Sequence, residues 1–248
     1  MLHLLWGGVI ALTAFPFMSL TRRRHTRQRW SQRLLTLLHV HVDIHGAIPE
    51  QGCLIVANHI SWLDIFVINT LVPAGFIAKS EIRRWPGIGW LAARNDTLFL
   101  QRGSRAHARW VNHLIGDRLA ADDTIALFPE GATSDGRDVA HFHAMLLQPA
   151  LDAGHPVQPL ALRYRDPHDR YTEAPAYHAG RSLAASFAAI LAQPEIRAEA
   201  HLLPLEHPRP EWERHDFANA LRSRIADLVR DPPSAALGTD TDTQQPPT

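Results

Sequence analysis

Five short β-like runs, at 53–57, 74–79, 96–100, 123–128 and 156–163, alternate with segments of helical length along the middle of the chain. Alternation at these lengths is the signature of strand–helix–strand units, in which parallel strands form a buried sheet and the connecting helices cover its faces. The expected fold is therefore α/β: a mostly parallel twisted sheet flanked by helices. The clearest helix is 104–121, capped by Ser104, with Trp110, Val111, Leu114 and Ile115 as its apolar stripe. Residues 179–193 and 213–230 also read as helices, and 199–206 reads as a further strand. Residues 166–180 mix Pro, His, Asp and Tyr and read as a loop.

Two of the apolar runs end abruptly in polar turns. Cys53-Leu54-Ile55-Val56-Ala57 passes straight into Asn58-His59-Ile60-Ser61-Trp62-Leu63-Asp64. Ser61 and Asp64 have capping-box spacing ahead of Ile65-Phe66-Val67-Ile68, so a helix is expected to start near Ser61. His59 then sits between the end of a buried strand and a helix N-terminus, where open α/β sheets present reactive groups. Taken alone, Asn58 also reads as a turn residue, Ser61 as a cap, Asp64 as a first-turn acid and His59 as a polar loop residue. The second run, Asp123 to Phe128, leads in the same way into Pro129-Glu130-Gly131-Ala132-Thr133-Ser134.

The ordered set of Asn-His-x4-Asp at 58–64 and Phe-Pro-Glu-Gly at 128–131 resembles the glycerolipid acyltransferase family, whose best-known members are bacterial 1-acyl-sn-glycerol-3-phosphate acyltransferases. Intermediate blocks resemble it too: Ile77-Ala78-Lys79-Ser80-Glu81 followed by Trp85-Pro86-Gly87-Ile88-Gly89-Trp90, then Thr97-Leu98-Phe99-Leu100-Gln101-Arg102, and finally Val157-Gln158-Pro159-Leu160. The resemblance covers about residues 50 to 165. It implies a membrane enzyme that moves an acyl chain from acyl-CoA or acyl-carrier protein to the free hydroxyl of lysophosphatidate, giving phosphatidate in phospholipid biosynthesis.

The chemistry asks little of the protein. A thiolate leaves readily, but the attacking hydroxyl must lose a proton, and a neutral imidazole of fixed tautomer is suited to take it. His59 would be that base, and Asp64 would hold its other ring nitrogen. On one continuous helix the two would lie about 140° apart, so they meet only if His59 stands outside the helix. The resemblance assigns the same two roles to these positions. It also implies an acceptor-binding group. Arg102 would hold a phosphate through paired hydrogen bonds. Glu130 would bind a glycerol hydroxyl or a backbone N–H, and Gly131 would permit close approach or positive φ. Lys79 matches a basic position of the family. The third block departs from the family, whose usual continuation is Thr-Arg-Ser. Here it is Ala132-Thr133-Ser134-Asp135-Gly136, with Arg137 nearby but out of register. That continuation looks like a proteobacterial subgroup that acylates lysophosphatidate or lyso-ornithine lipid. A lyso-ornithine lipid acceptor, which has no phosphate, is therefore the alternative. A non-catalytic lipid binder on the same fold is another.

Charge is distributed unevenly. The chain has 25 basic and 25 acidic residues, yet residues 1–42 hold six Arg and no acid, which leaves 19 basic against 25 acidic in the remainder. Residues 1–20 carry no Asp, Glu, Lys or Arg. As one helix they would be roughly 30 Å long, about one hydrocarbon thickness, although Gly7, Gly8 and Pro16 weaken it. The Arg residues come after the apolar run rather than before it, against a cleaved signal and for a cytoplasmic location of residues 21 onward. Residues 26–40 read as a basic amphipathic helix whose Trp30, Leu34, Leu35, Leu37 and Leu38 would enter lipid. The expected organisation is an N-terminal helical membrane anchor at 1–40, an α/β acyltransferase domain at 41–230 and a disordered tail at 231–248. The protein would lie on the inner membrane with its catalytic domain facing the cytoplasm.

Other chemistries find little support. The basic cluster abuts an apolar segment and the rest of the chain is acidic, which speaks against a nucleic-acid partner. His141-Phe142-His143 has metal-ligand spacing but no evident third ligand. No Gly-rich dinucleotide or Walker loop and no Gly-x-Ser-x-Gly is present, so neither metal nor cofactor is expected. The single Cys53 excludes an intrachain disulfide.

Overall fold

The computed structural model describes residues 2–230 apart from Gln51, Arg102, Ala179 and Pro210, and of Leu2, Leu4, Leu5 and Arg105 it describes the backbone. The tail at 231–248 lies outside the described residues.

The strands are β1 (Val40–His45), β2 (Leu54–Ala57), β3 (Gly75–Lys79), β4 (Leu98–Leu100), β5 (Ile125–Leu127), β6 (Val157–Arg165) and β7 (Ile196–Leu202). They form one seven-stranded sheet in the order β1-β7-β6-β2-β5-β3-β4. Every pairing is parallel except β6 with β7, which is antiparallel. The helices are α1 (Leu2–Thr13), α2 (Leu20–Leu37), α3 (Leu63–Leu71), α4 (Ile88–Arg94), α5 (Arg105–Ala120), α6 (Gln148–Ala153), α7 (Leu183–Leu191) and α8 (Arg214–Val229).

All four residues of β2 are buried, as expected of a central strand covered on both faces. Its side chains alternate between two cores. Ile55 and Ala57 join Leu34 and Leu35 of α2, Val67 and Ile68 of α3 and Ile190 of α7. Leu54 and Val56 join Val111 and Ile115 of α5, Leu151 of α6 and Leu221 and Ile225 of α8. The two layers hold the β2 and β5 ends in register, with Leu54 opposite Ile125 and Val56 opposite Leu127.

Several sequence expectations need correction. The basic helix ends at Leu37, and after His39 at positive φ the chain enters β1 at Val40. The alternating segment Val-His-Val-Asp-Ile-His is thus a strand that begins inside the stretch expected to be helical. Leu34, Leu35 and Leu38 face the protein core rather than lipid, because α2 packs on α3. Arg24 pairs with Asp123. Arg27 is buried, donating to Asn95 O at 3.0 Å and to Asp96 at 3.1 Å. These two arginines tie α2 to the sheet domain.

Residues 1–20 are not one helix. Helix α1 has 12 residues, about 18 Å, and a 3₁₀ turn at Phe15–Phe17 containing Pro16 separates it from α2. Among the described residues no helix is long and apolar enough to cross a membrane. Ser104 caps α5 as expected, accepting from His107 N at 3.2 Å. The buried stripe of α5 is Ala108, Val111, Ile115 and Leu119, whereas Trp110 is exposed.

Candidate active site

The site forms where β2 and β5 end side by side. Beyond Ala57, Asn58 extends the ladder with its side chain. Its Nδ2 donates to Leu162 O at 3.0 Å and its Oδ1 accepts from Leu162 N at 2.7 Å, so a carboxamide stands in for a peptide unit against β6. The chain then leaves the sheet at His59.

Helix α3 starts at Leu63, two residues later than the capping pattern suggested. Asp64 reaches back over the turn as the acid of a capping box does, and Oδ2 accepts from Ile60 N at 2.7 Å and Ser61 N at 2.9 Å. Ser61 Oγ accepts from Leu63 N at 3.2 Å. His59 therefore stands outside the helix, and its Nδ1 lies 2.8 Å from the same Oδ2. Asp64 is wholly buried, and its Oδ1 accepts from the Tyr164 hydroxyl at 2.7 Å. Four donors converge on one carboxylate, which places the neutral imidazole's proton on Nδ1 and leaves Nε2 with a free lone pair. Burial, then the Asp64 charge, pushes the Tyr164 phenol well above its ordinary value, so it acts as a donor only.

The β5 block supports this pair from the other side. The His59 ring stacks on Phe128, with centroids 3.9 Å apart and planes 12° apart, and Phe76 stacks behind Phe128 at 6.3 Å. Glu130 is buried. Its Oε1 accepts from His59 N at 2.7 Å and its Oε2 from Ala140 N at 2.8 Å. Burial raises the Glu130 carboxyl above its ordinary value, while these two N–H bonds and His59 pull it down. Gly131 turns the chain at φ 70°, its N–H donating to Phe128 O at 3.1 Å. Ser134 N closes the ring of contacts by donating to His59 O at 2.8 Å.

The structure thus brings together His59, Asp64, Glu130 and Gly131. Lys79 is exposed at the C-terminal end of β3, one strand beyond β5 at the same sheet edge. Arg102 lies outside the described residues. Arg137 is exposed and sits 4.1 Å from the Tyr171 ring centroid. With Ile60, Gly136, Tyr164 and Tyr171 it lines a cavity of about 110 Å³ on the β6 side. His141 and His143 are exposed, and among the described residues no group of three His, Cys, Asp or Glu could hold a metal ion. Sequence reasoning missed Tyr164, Phe128 as a ring platform, and Asn58 as a ladder residue. Only Asn58 carried a signal: an amide at the first position after a buried strand.

The sequence model of the Acyltransferase family matches residues 39–163, half of the chain, from the start of β1 into β6 and including His59, Asp64, Glu130 and Gly131. The chain belongs to the Acyltransferase family. A relative from Pseudomonas aeruginosa named lyso-ornithine lipid O-acyltransferase is 42% identical over 144 residues, 58% of this chain and 55% of the relative. A 1-acyl-sn-glycerol-3-phosphate acyltransferase from Neisseria meningitidis is 38% identical over 146 residues, 58% of this chain and 57% of the relative. The chain matches about half the length of these curated relatives. The crystal structure of the 1-acyl-sn-glycerophosphate acyltransferase PlsC from Thermotoga maritima superposes with a TM-score of 0.64 at 22% identity, covering 92% of this chain and 91% of that one. It shares this family's fold, a mostly parallel sheet flanked by helices.

Proposed function

We propose that the chain transfers an acyl group from a thioester, acyl-CoA or acyl-carrier protein, to the free hydroxyl of a lysolipid, with lysophosphatidate as acceptor and phosphatidate as product. The observation that carries the reading is the His59–Asp64 pair at 2.8 Å, fixed by Tyr164 below and by Glu130 and Phe128 beside it.

In this mechanism His59 Nε2 removes the acceptor hydroxyl proton as the oxygen attacks the thioester carbonyl. Asp64 stabilises the imidazolium that forms. The tetrahedral intermediate collapses, the C–S bond breaks, and the imidazolium proton goes to the departing thiolate. Ester and thiol are the products, and no enzyme ester, metal or cofactor takes part. General-base catalysis of this kind supplies about 10²–10⁴ in rate.

The same reading places the chain on the inner membrane, its catalytic domain in the cytoplasm. Trp6, Leu12 and Phe17 are exposed on and after α1, with Phe17 at 90%, and the exposed Arg22 and Arg29 come next on α2. The length of α1, about 18 Å, supports an interfacial position for this segment over a spanning one.

A second acceptor, lyso-ornithine lipid, is favoured by the name of the Pseudomonas aeruginosa relative and by Ala132-Thr133-Ser134 where the family commonly carries Thr-Arg-Ser. An assay with palmitoyl- and oleoyl-thioesters and each lysolipid separates the two. Phosphatidate formed by wild type and not by His59→Ala supports the first. Transfer to lyso-ornithine lipid alone supports the second. No transfer to either overturns both and leaves a non-catalytic lipid binder.

A further inference from the structure

The sheet edge that carries His59 also carries an exposed surface outside the His59–Asp64 pair. Strand β3 runs parallel to β5, and β5 to β2, so Lys79 and Ala57 leave the sheet at the same edge. There the chain turns through a 3₁₀ segment, Ser80–Arg84, into Trp85-Pro86-Gly87 and α4. Three large apolar side chains face solvent within six residues: Trp85 at 37%, Ile88 at 42% and Trp90 at 37% exposure. Lys79, Arg83, Arg84 and Arg94 are exposed around them, against one acid, Glu81. Arg94 lies 5.4 Å from the Trp90 ring centroid, and Arg83 lies 5.7 Å from that of Phe99.

This shoulder is closely packed. A Cβ on Gly89 would collide with Arg83 O, so α4 rests directly on the backbone of the 3₁₀ segment. Helix α1 packs against α4, which makes the shoulder continuous with the exposed Trp6 and Leu12.

We propose that this shoulder seats on an anionic lipid bilayer, with Trp85, Ile88 and Trp90 in the headgroup layer and Arg83, Arg84 and Arg94 on lipid phosphates. Indole rings are apolar with one polar edge, which suits the boundary between acyl chains and water. Same-sign charge around an aromatic centre complements an anionic sheet of lipid, whereas the core of a protein interface is depleted of charge. The contact lies outside the α1 segment. It would present the His59 edge of the sheet to the layer in which lipid substrates reside.

The test uses the full chain with vesicles of phosphatidylcholine alone or of phosphatidylcholine mixed with phosphatidylglycerol. In a Trp6→Phe background, brominated lipids are expected to quench Trp fluorescence, and most of that quenching should disappear when Trp85 and Trp90 are also changed to Phe. Replacing Arg83, Arg84 and Arg94 with Gln should weaken binding to the anionic vesicles by about fivefold per arginine, with little change on neutral ones. Circular dichroism and thermal melting of each variant identify any that fails to fold, and the exposed arginine variants serve where the Trp variants do not. Quenching that survives Trp85→Phe/Trp90→Phe, or anionic-lipid binding indifferent to the three arginines, overturns the proposal. So does self-association of the chain that these substitutions abolish, which would assign the face to a second copy.

Discussion

The Tyr164 hydroxyl donates to Asp64 Oδ1 at 2.7 Å from 100 residues further along the chain. The bond crosses from β6 to the first turn of α3 and gives a wholly buried carboxylate its fourth donor. Removing one partner of such a bond leaves a charged acceptor short of a donor inside the protein, at a cost of about 1–3 kcal/mol. Tyr164→Phe is therefore expected to lower the thermal midpoint by several degrees, at about 2–4 °C per kcal/mol for a chain of this size. It should also reduce kcat more than it raises KM. An unchanged melting curve would mean that Tyr164 does not support Asp64.

His59→Ala removes the ring that offers Nε2 as a base while leaving Asp64 bonded to Ile60 N, Ser61 N and Tyr164. Transfer should fall by about 10²–10⁴, and vesicle binding should not change. Wild-type turnover in this variant would remove His59 from the mechanism.

Glu130 couples the site to pH through stability. Burial holds its carboxyl above the ordinary value in the folded chain, so the native state binds the proton more readily than the unfolded state does. Stability then falls as pH rises from about 4.3, the unfolded value, through the raised folded value, and is level above it. Glu130→Gln cannot titrate and lacks this slope. The stability of wild type relative to Glu130→Gln should therefore shrink between pH 4 and pH 7 in urea titrations, and a difference independent of pH would contradict it. The amide also puts an NH2 against one of two backbone donors, loosening His59. Displacement of a reacting group by about 1 Å costs about 10²-fold in rate, so an activity loss approaching that size is expected.

The N-terminal boundary admits a clean cut. Deleting residues 1–33 would remove Arg27 and Ser31, which are buried against the domain, and is expected to give insoluble protein. Deletion of residues 1–18 keeps Ser19, which caps α2 by accepting from Arg22 N. That shorter cut removes the buried Ala11 and Phe15, so it should lower the thermal midpoint while leaving the domain folded, and it should weaken vesicle binding. Full-strength binding after it would show that α1 has no part in membrane contact.

The parts of this fold written locally were legible. Leu54 to Ala57 and Ile125 to Leu127 are apolar because they are central strands buried on both sides, and composition alone reveals that. His59 and Asp64 lie five residues apart, within one strand–turn–helix unit, so their meeting could be foreseen. The features that escaped were written non-locally. Nothing near Tyr164 marks it as a donor to residue 64, and an aromatic in a strand reads as core. Leu34, Leu35 and Leu38 form a stripe that looks the same whether protein or lipid covers it. Strand β1 sits at the sheet edge, where histidine and aspartate are tolerated at alternate positions, and its pattern was too polar to stand out.

The amide of Asn58, bridging to both the N–H and the C=O of Leu162, has a thermal consequence. Because it carries the β2–β6 ladder one residue past Ala57, the turn bearing His59 hangs from the most protected part of the sheet rather than from a fraying loop. Partial opening at the periphery leaves such a turn intact. Heating should therefore inactivate this protein in one step, together with the collapse of the sheet itself.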